Sequence, residues 1–200
     1  MKRLLIFVIL AAALFAVSCG GSGTPATQTV AVNPNQMAYG SEWSPADLNR
    51  IGDKMVKSVS KARWFNKAID ANLRWILASE MANDTDEHIN TRVIMEKIRT
   101  ALINKFEVRF VDDQALKDIL KQQNLQQSAL FNQATVVKVG KISGARLILR
   151  GRISNMRNRT GLAEGNMFQI TLQVVDIESG DIRWTDEDQI ARMTTRSRYR

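Results

Sequence analysis

The chain has 200 residues, 44% hydrophobic and 24% charged, with 28 Lys and Arg against 20 Asp and Glu and a formal charge of +8. That balance is ordinary for one or two globular domains; it excludes a collagen, a low-complexity chain and an acidic disordered one. One Cys and one His exclude an internal disulfide framework and the usual zinc constellations, which draw on several such ligands.

In chain order, Lys2 and Arg3 come first and an apolar run from Leu4 to Ala16 follows. The run is shorter than the roughly 20 residues a membrane-spanning helix needs, and it suits the apolar region of a secretory signal. Ala16-Val17-Ser18-Cys19 resembles the bacterial lipobox, where a signal peptidase cuts before a cysteine whose thiol already carries a diacylglyceryl group. The expectation is a signal peptide over 1–18 and a lipidated Cys19, with no cofactor beyond that covalent lipid. Gly20 stands where Asp would mark inner-membrane retention in enterobacterial lipoproteins, so the expected address is the outer membrane, facing the periplasm. Removing residues 1–18 takes away Lys2 and Arg3 and leaves a charge of +6. A secreted, lipid-anchored chain of that charge suits anionic lipid, cell wall or an acidic protein, and not nucleic acid.

Residues 19–43 are rich in Gly, Ser, Thr, Asn and Gln, with Pro25 and Pro34, and read as a flexible tether. Fully extended, it reaches roughly 80 Å. A globular domain is expected over 44–193 and a basic tail over 194–200. Ser44-Pro45 is a helix start, and Leu48, Ile51, Met55, Val56 and Val59 continue it at helical spacing over 45–62. Residues 73–81 read as a strand, 82–90 as a polar loop and 91–105 as a second helix. Phe106, Val108 and Phe110 alternate with Glu107 and Arg109, predicting a half-buried strand over 106–111. Asp113 is placed to cap a third helix through Leu116, Ile119 and Leu120. A fourth helix runs over 133–143, with Gly144 placed to end it.

The last third alternates. Leu147, Leu149 and Ile153 oppose Arg150, Arg152 and Ser154 along one strand, and Phe168, Ile170, Leu172 and Val174 alternate with polar residues along another. Glu178-Ser179-Gly180-Asp181 makes a tight turn before Ile182 and Trp184. This is an antiparallel meander with one buried and one solvated face. Gly161 and Gly165 are expected to flank a hairpin tip. Trp75 and Trp184 are assigned to the core, Trp43 and Trp64 to seating the first helix. The fold class is α/β of the α+β type, a mixed sheet with helices packed on one face.

Arg150, Arg152 and Arg183 fall on the expected solvent face and form the candidate surface for an acidic partner; Arg157 and Arg159 lie near the hairpin tip. Arg192, Arg196, Arg198, Tyr199 and Arg200 read as a basic tail without a nearby acid. Asp84, Asp86, Glu87 and His88 crowd one loop and raise a metal-dependent hydrolase as a reading. The loop lacks the EF-hand pattern and its Gly, and no second cluster completes a site, so no metal is expected. Asp112-Asp113 is more simply a helix start than a catalytic pair. No phosphate loop, nucleophile elbow or dinucleotide turn is present, so no catalytic residue is assigned and no enzymatic activity is expected.

The segments Thr85–Thr91, Lys97–Leu102, Phe110–Asp113 and Leu172–Asp176, with the turn from Ser179-Gly180 to Trp184, resemble the LpoB family in the same order. The resemblance covers roughly residues 45–190. It implies an outer-membrane lipoprotein that activates a bifunctional class A penicillin-binding protein by binding a small non-catalytic docking domain. It also implies a small αβ fold similar to the N-terminal domain of TolB, without an active site; the chain is expected to be a monomer. Enterobacterial members carry a long Pro-rich linker, whereas the tether here is short with two prolines. A structural envelope lipoprotein related to curli-export components is the alternative. Such a channel needs long hairpins with a lipid-facing apolar band, which these strands lack.

Overall fold

The computed structural model describes residues 42–195 apart from Ser79 and Leu162. The expected signal peptide, Cys19, the expected tether up to residue 41 and Arg196–Arg200 lie outside the described residues.

Helix α1 (Pro45–Ser60) starts where Ser44-Pro45 predicts. The Asp47 carboxylate accepts from the Ser44 backbone N–H at 2.9 Å, closing the turn from the side-chain end. Ile51, Met55, Val56 and Val59 form its buried stripe. A short helix α2 (Phe65–Asp70), not anticipated from the sequence, stacks Phe65 edge-on to Trp75 and Phe106. Strand β1 is only Arg74–Leu77. The expected polar loop contains strand β2 (Ala82–Asp84). Helix α3 (Thr91–Phe106) runs one residue past its expected end, and Glu107 stops it in the left-handed conformation at φ 57°. Phe106 is therefore helical, and the expected strand over 106–111 shrinks to β3 (Arg109–Phe110). Alternation over so few residues does not separate a strand from the last turn of a helix. Helix α4 (Asp113–Gln122) is capped by Asp112, not Asp113; its carboxylate accepts from the backbone N–H groups of Gln114 and Ala115 at 2.9 and 3.0 Å. A 3-10 turn (Gln127–Phe131) leads to α5 (Gln133–Ser143), which Gly144 ends at φ 67° as expected.

Three long strands follow: β4 (Leu147–Thr160), β5 (Ala163–Asp176) and β6 (Ile182–Thr195). Among the described residues, six strands form one mixed sheet in the order β3-β1-β4-β5-β6, and β2 also pairs with β4. The β1–β3, β1–β4 and β2–β4 ladders are parallel; β4–β5–β6 is the expected antiparallel meander. Strands β1 and β2 lie end to end along one side of β4, at Leu147–Leu149 and Arg152–Ser154. Gly161 sits at the β4–β5 tip with φ 54°, whereas Gly165 lies within β5 opposite Asn158.

The α/β class with its mixed sheet and meander is as expected, but the helices do not all lie on one face. Helices α1, α2 and α3 pack with Trp75, Leu77, Leu149, Ile153, Phe168, Ile170 and Leu172. Helices α4 and α5 pack on the opposite parity, against Ile76, Ile148 and Val175. The runs Trp75-Ile76-Leu77, Leu147-Ile148-Leu149 and Val174-Val175 are apolar on both parities, the mark of a strand buried on both sides. From Arg150 onward β4 alternates, and there, among the described residues, helices cover only one face.

Helix α1 also guards the outer strand. Arg50 donates to the Gln189 carbonyl at 2.7 Å, and Lys54 to the Glu187 carbonyl at 2.9 Å; both also meet the Asp188 carboxylate. Side chains that occupy backbone acceptors on an edge strand disfavour pairing with a further strand.

Candidate docking face

Of the sequence-derived site residues, Cys19 lies outside the described residues, and the three arginines do not form one row. Arg150 and Arg152 project from the same face of β4, cross-strand from Gln173 and Thr171. Arg183 sits two strands away, where the register shifts between Val174 and Val175: Val174 faces Trp184 and Val175 faces Ile182, leaving Arg183 as the extra residue. Strict alternation, which placed it beside the other two, fails at such an irregularity. Arg183 is exposed.

The two β4 arginines differ. Arg152 is exposed and ion-paired with Asp84, which β2 brings alongside through its parallel pairing with β4. Arg150 is half-buried, and its guanidinium donates to the Phe131 carbonyl at 3.4 Å. No ion pair forms at Arg150 among the described residues. Burial pushes its pKa down from the usual arginine value. Phe131, Arg150, Gly151, Arg152, Thr171 and Gln173 line a cavity of about 340 Å³ on this face. Sequence reasoning missed Phe131, Thr171 and Gln173. The available signal was the change in β4 from Leu147-Ile148-Leu149 to alternation, which marks where the covering helices stop.

The acidic loop is built differently from a metal site. Asp84 meets Arg152; Asp86 meets Asn155 and Arg157; Glu87 accepts from Arg157 at 2.6 Å, from Asn166 at 3.0 Å and from the Trp43 backbone N–H at 3.2 Å. Arg157 also reaches Glu164 at 2.7 Å. The Asn155 hydrogen bond and the Arg157 charge hold Asp86 below the usual carboxylate range; Arg159 and Arg157 do the same for Glu164. His88 is exposed. Among the described residues no group of three or more His, Cys, Asp or Glu is arranged to hold a metal ion.

Arg192 corrects the expected basic tail. It lies inside β6, 85% shielded from solvent, and its guanidinium donates to both Asp47 oxygens at 2.7 Å and to Ser44 Oγ at 2.8 Å. Pairing of β6 with β5 continues to Thr195, so Thr194 and Thr195 are also strand. Trp43 and Trp64 are partly buried against the core, Trp43 edge-on to Phe168 at 5.7 Å. Trp75 is fully buried; Trp184 is half-buried, its indole N–H directed at Ser58 Oγ at 3.3 Å.

Fold and face together define an αβ domain whose sheet, among the described residues, is covered by helices on one side and, over the outer half of the meander, uncovered on the other. The open part is lined by arginine, threonine and amide side chains. The family model described as peptidoglycan-synthase activator LpoB matches residues 47–190, so the chain belongs to the LpoB family. Two solved structures share the fold. The LpoB C-terminal domain from Escherichia coli is 21% identical, with a TM-score of 0.51 over 68% of this chain and 94% of that one. The domain from Salmonella enterica is 17% identical, with a TM-score of 0.50 over 72% and 94%. No curated protein sequence matches significantly. Among the described residues no helix is long and apolar enough to cross a membrane.

Proposed function

We propose that this chain is a non-enzymatic, lipid-anchored activator that binds a bifunctional class A penicillin-binding protein and raises its peptidoglycan synthesis. The observation that carries the reading is the family match, which runs from Asp47 in the first helix to Ile190 in the last strand. Residues 1–18 act as the signal peptide, and Cys19 carries the lipid that holds the protein in the outer membrane, facing the periplasm. Residues 19–43 act as a tether and 44–193 as the binding domain, which works as a monomer without a cofactor. Arg150, Arg152 and Arg183 supply positive charge to the docking face. Activation needs no group transfer: a partner that binds one state of an enzyme better than another shifts its population toward that state.

The test is glycan-chain synthesis by the organism's class A synthase, with and without residues 19–200. Stimulation is expected, and replacing Arg150, Arg152 and Arg183 together by Glu is expected to abolish it in a protein whose circular dichroism is unchanged. Like-charge contacts across an interface cost several kcal/mol, enough to weaken binding by orders of magnitude. No stimulation by the unaltered domain rejects the reading for that synthase. Palmitate labelling that persists in Cys19→Ser rejects the anchor.

A further inference from the structure

We propose that the cavity beside Arg150 is a carboxylate pocket: it takes one Asp or Glu side chain from an extended acidic segment of the protein partner, and Arg150 is its anchor. The proposal rests on the reading of the domain as a synthase-binding module, and it names one contact within that surface.

The charge balance of the pocket selects the ligand. Two arginines border it. Arg152 is already matched by Asp84, so the pocket carries the charge of one guanidinium, that of Arg150. Among the described residues, Arg150 has only the Phe131 carbonyl as its hydrogen-bond acceptor, at a long 3.4 Å. On the other face of the same sheet, Arg157 and Arg192 each meet a carboxylate at 2.7 Å or closer. The nearest acid on the open face of β6, Glu187, is turned to Gln169, accepting from its amide at 3.0 Å. A guanidinium presents a rigid fork of donors that fits one carboxylate through two parallel hydrogen bonds. Thr171 and Gln173, cross-strand from Arg152 and Arg150, add a hydroxyl and an amide at the floor, and Phe131 supplies an apolar wall for the methylenes of a Glu. A partly desolvated cation also draws more energy from one carboxylate than an exposed one does, because water screens it less.

The register offers a sharp test. Gln173 faces Arg150 directly across the β4–β5 ladder. Gln173→Glu is nearly isosteric, keeps Arg150 and places an internal carboxylate where the partner's would sit. Binding of the synthase ectodomain to residues 19–200 carrying Cys19→Ser is measured for the otherwise unaltered domain and for Arg150→Ala, Arg150→Lys, Gln173→Glu and the distant exposed Arg63→Ala. Arg150→Ala and Gln173→Glu are expected to weaken binding at least about tenfold, the loss of one charge-assisted pair. Arg150→Lys is expected to fall between, keeping charge but losing the fork, and Arg63→Ala to match the unaltered domain. Circular dichroism confirms folding of each variant. Full binding by folded Arg150→Ala or Gln173→Glu overturns the pocket while leaving the activator reading intact. Absence of binding by the unaltered domain counts against that reading instead, and the pocket is then decided by NMR of the Arg150 Nε–Hε signal. N-acetyl-glutamate methylamide is expected to shift that signal and its glutamine analogue not to; equal response to the two, or none to either, overturns the pocket.

Discussion

The two faces of the meander treat arginine in opposite ways. On the face covered by α1 and α3, Arg192 meets both oxygens of Asp47, and Arg157 is surrounded by Asp86, Glu87 and Glu164. On the open face, Arg150 is half-buried beside Phe131 with no carboxylate in reach among the described residues. Each of the three has lost part of its hydration, a loss that a carboxylate partner repays well and a single backbone carbonyl poorly. Covered arginines therefore tie chain segments together: Arg192 joins the last strand to the first helical turn, and Arg157 joins the β4–β5 hairpin to the acidic loop. The uncovered one has no acid among the described residues, which is why it is the proposed anchor for a partner's carboxylate.

The largest effect that would break this contrast comes from Asp47→Ala. It strands Arg192 in a site where Asp47 is 5% exposed, and removing one partner of a buried pair costs about 3–5 kcal/mol. Urea unfolding should show the loss as a lower midpoint. A cost under about 1 kcal/mol would mean the pair behaves like an exposed one, and the contrast between the faces would collapse.

A smaller effect sharpens the comparison at adjacent residues of β4. A Cβ on Gly151 would point to the covered face and lie 2.4 Å from Leu172 Cδ2 and 3.1 Å from Met81. Gly151→Ala should therefore destabilise by about 1–3 kcal/mol through overpacking. Its neighbour Arg152 points to the open face, where its pair with Asp84 is exposed, and Arg152→Ala should cost no more than about 1 kcal/mol. Equal costs at the two positions, measured by the same unfolding, would show that parity does not separate the faces here.

Acid should produce the mildest change. Asp86, held low by the Asn155 hydrogen bond and Arg157, and Glu164, held low by Arg159 and Arg157, have folded pKa values depressed below the ordinary carboxylate values. Their contribution is present above the unfolded carboxylate pKa and is lost as pH falls through the depressed folded values. The urea midpoint should drop modestly between about pH 5 and pH 3, and less so in an Arg157→Gln variant. An identical drop in that variant would remove Arg157 from the account.

Local patterns in the sequence carried much of the fold. Helix α1 begins at Ser44-Pro45, α5 ends at Gly144 and the meander alternates where its residues alternate, because caps, left-handed glycines and period-2 burial act within a few residues. Strand β2 was not legible: Ala82-Asn83-Asp84 has no apolar pattern, and it is a strand because β4 extends past β1 and leaves a parallel edge to be filled. The start of α4 and the end of α3 moved by one residue, since neighbouring Asp112 and Asp113, or Phe106 and Phe110, give equal local signals and only packing chooses.

For the candidate docking face, the sequence by itself determined that arginines alternate with core residues along β4, that the chain is basic, and that Cys19 ends a lipobox-like tetrapeptide. Only the tertiary structure decided which arginine has an acid. Asp84 reaches Arg152, and Asp47 reaches Arg192 across 145 residues of chain, through strand pairing and helix packing that no local pattern encodes. Arg183 fell out of line because a single unpaired residue shifts register, and Phe131 became the wall of a pocket because the turn before α5 folds back over β4. Charge and periodicity are properties of neighbours in the chain. Pairing and desolvation are properties of neighbours in space, and those distinguish an arginine matched by an acid within the fold from one that has none among the described residues.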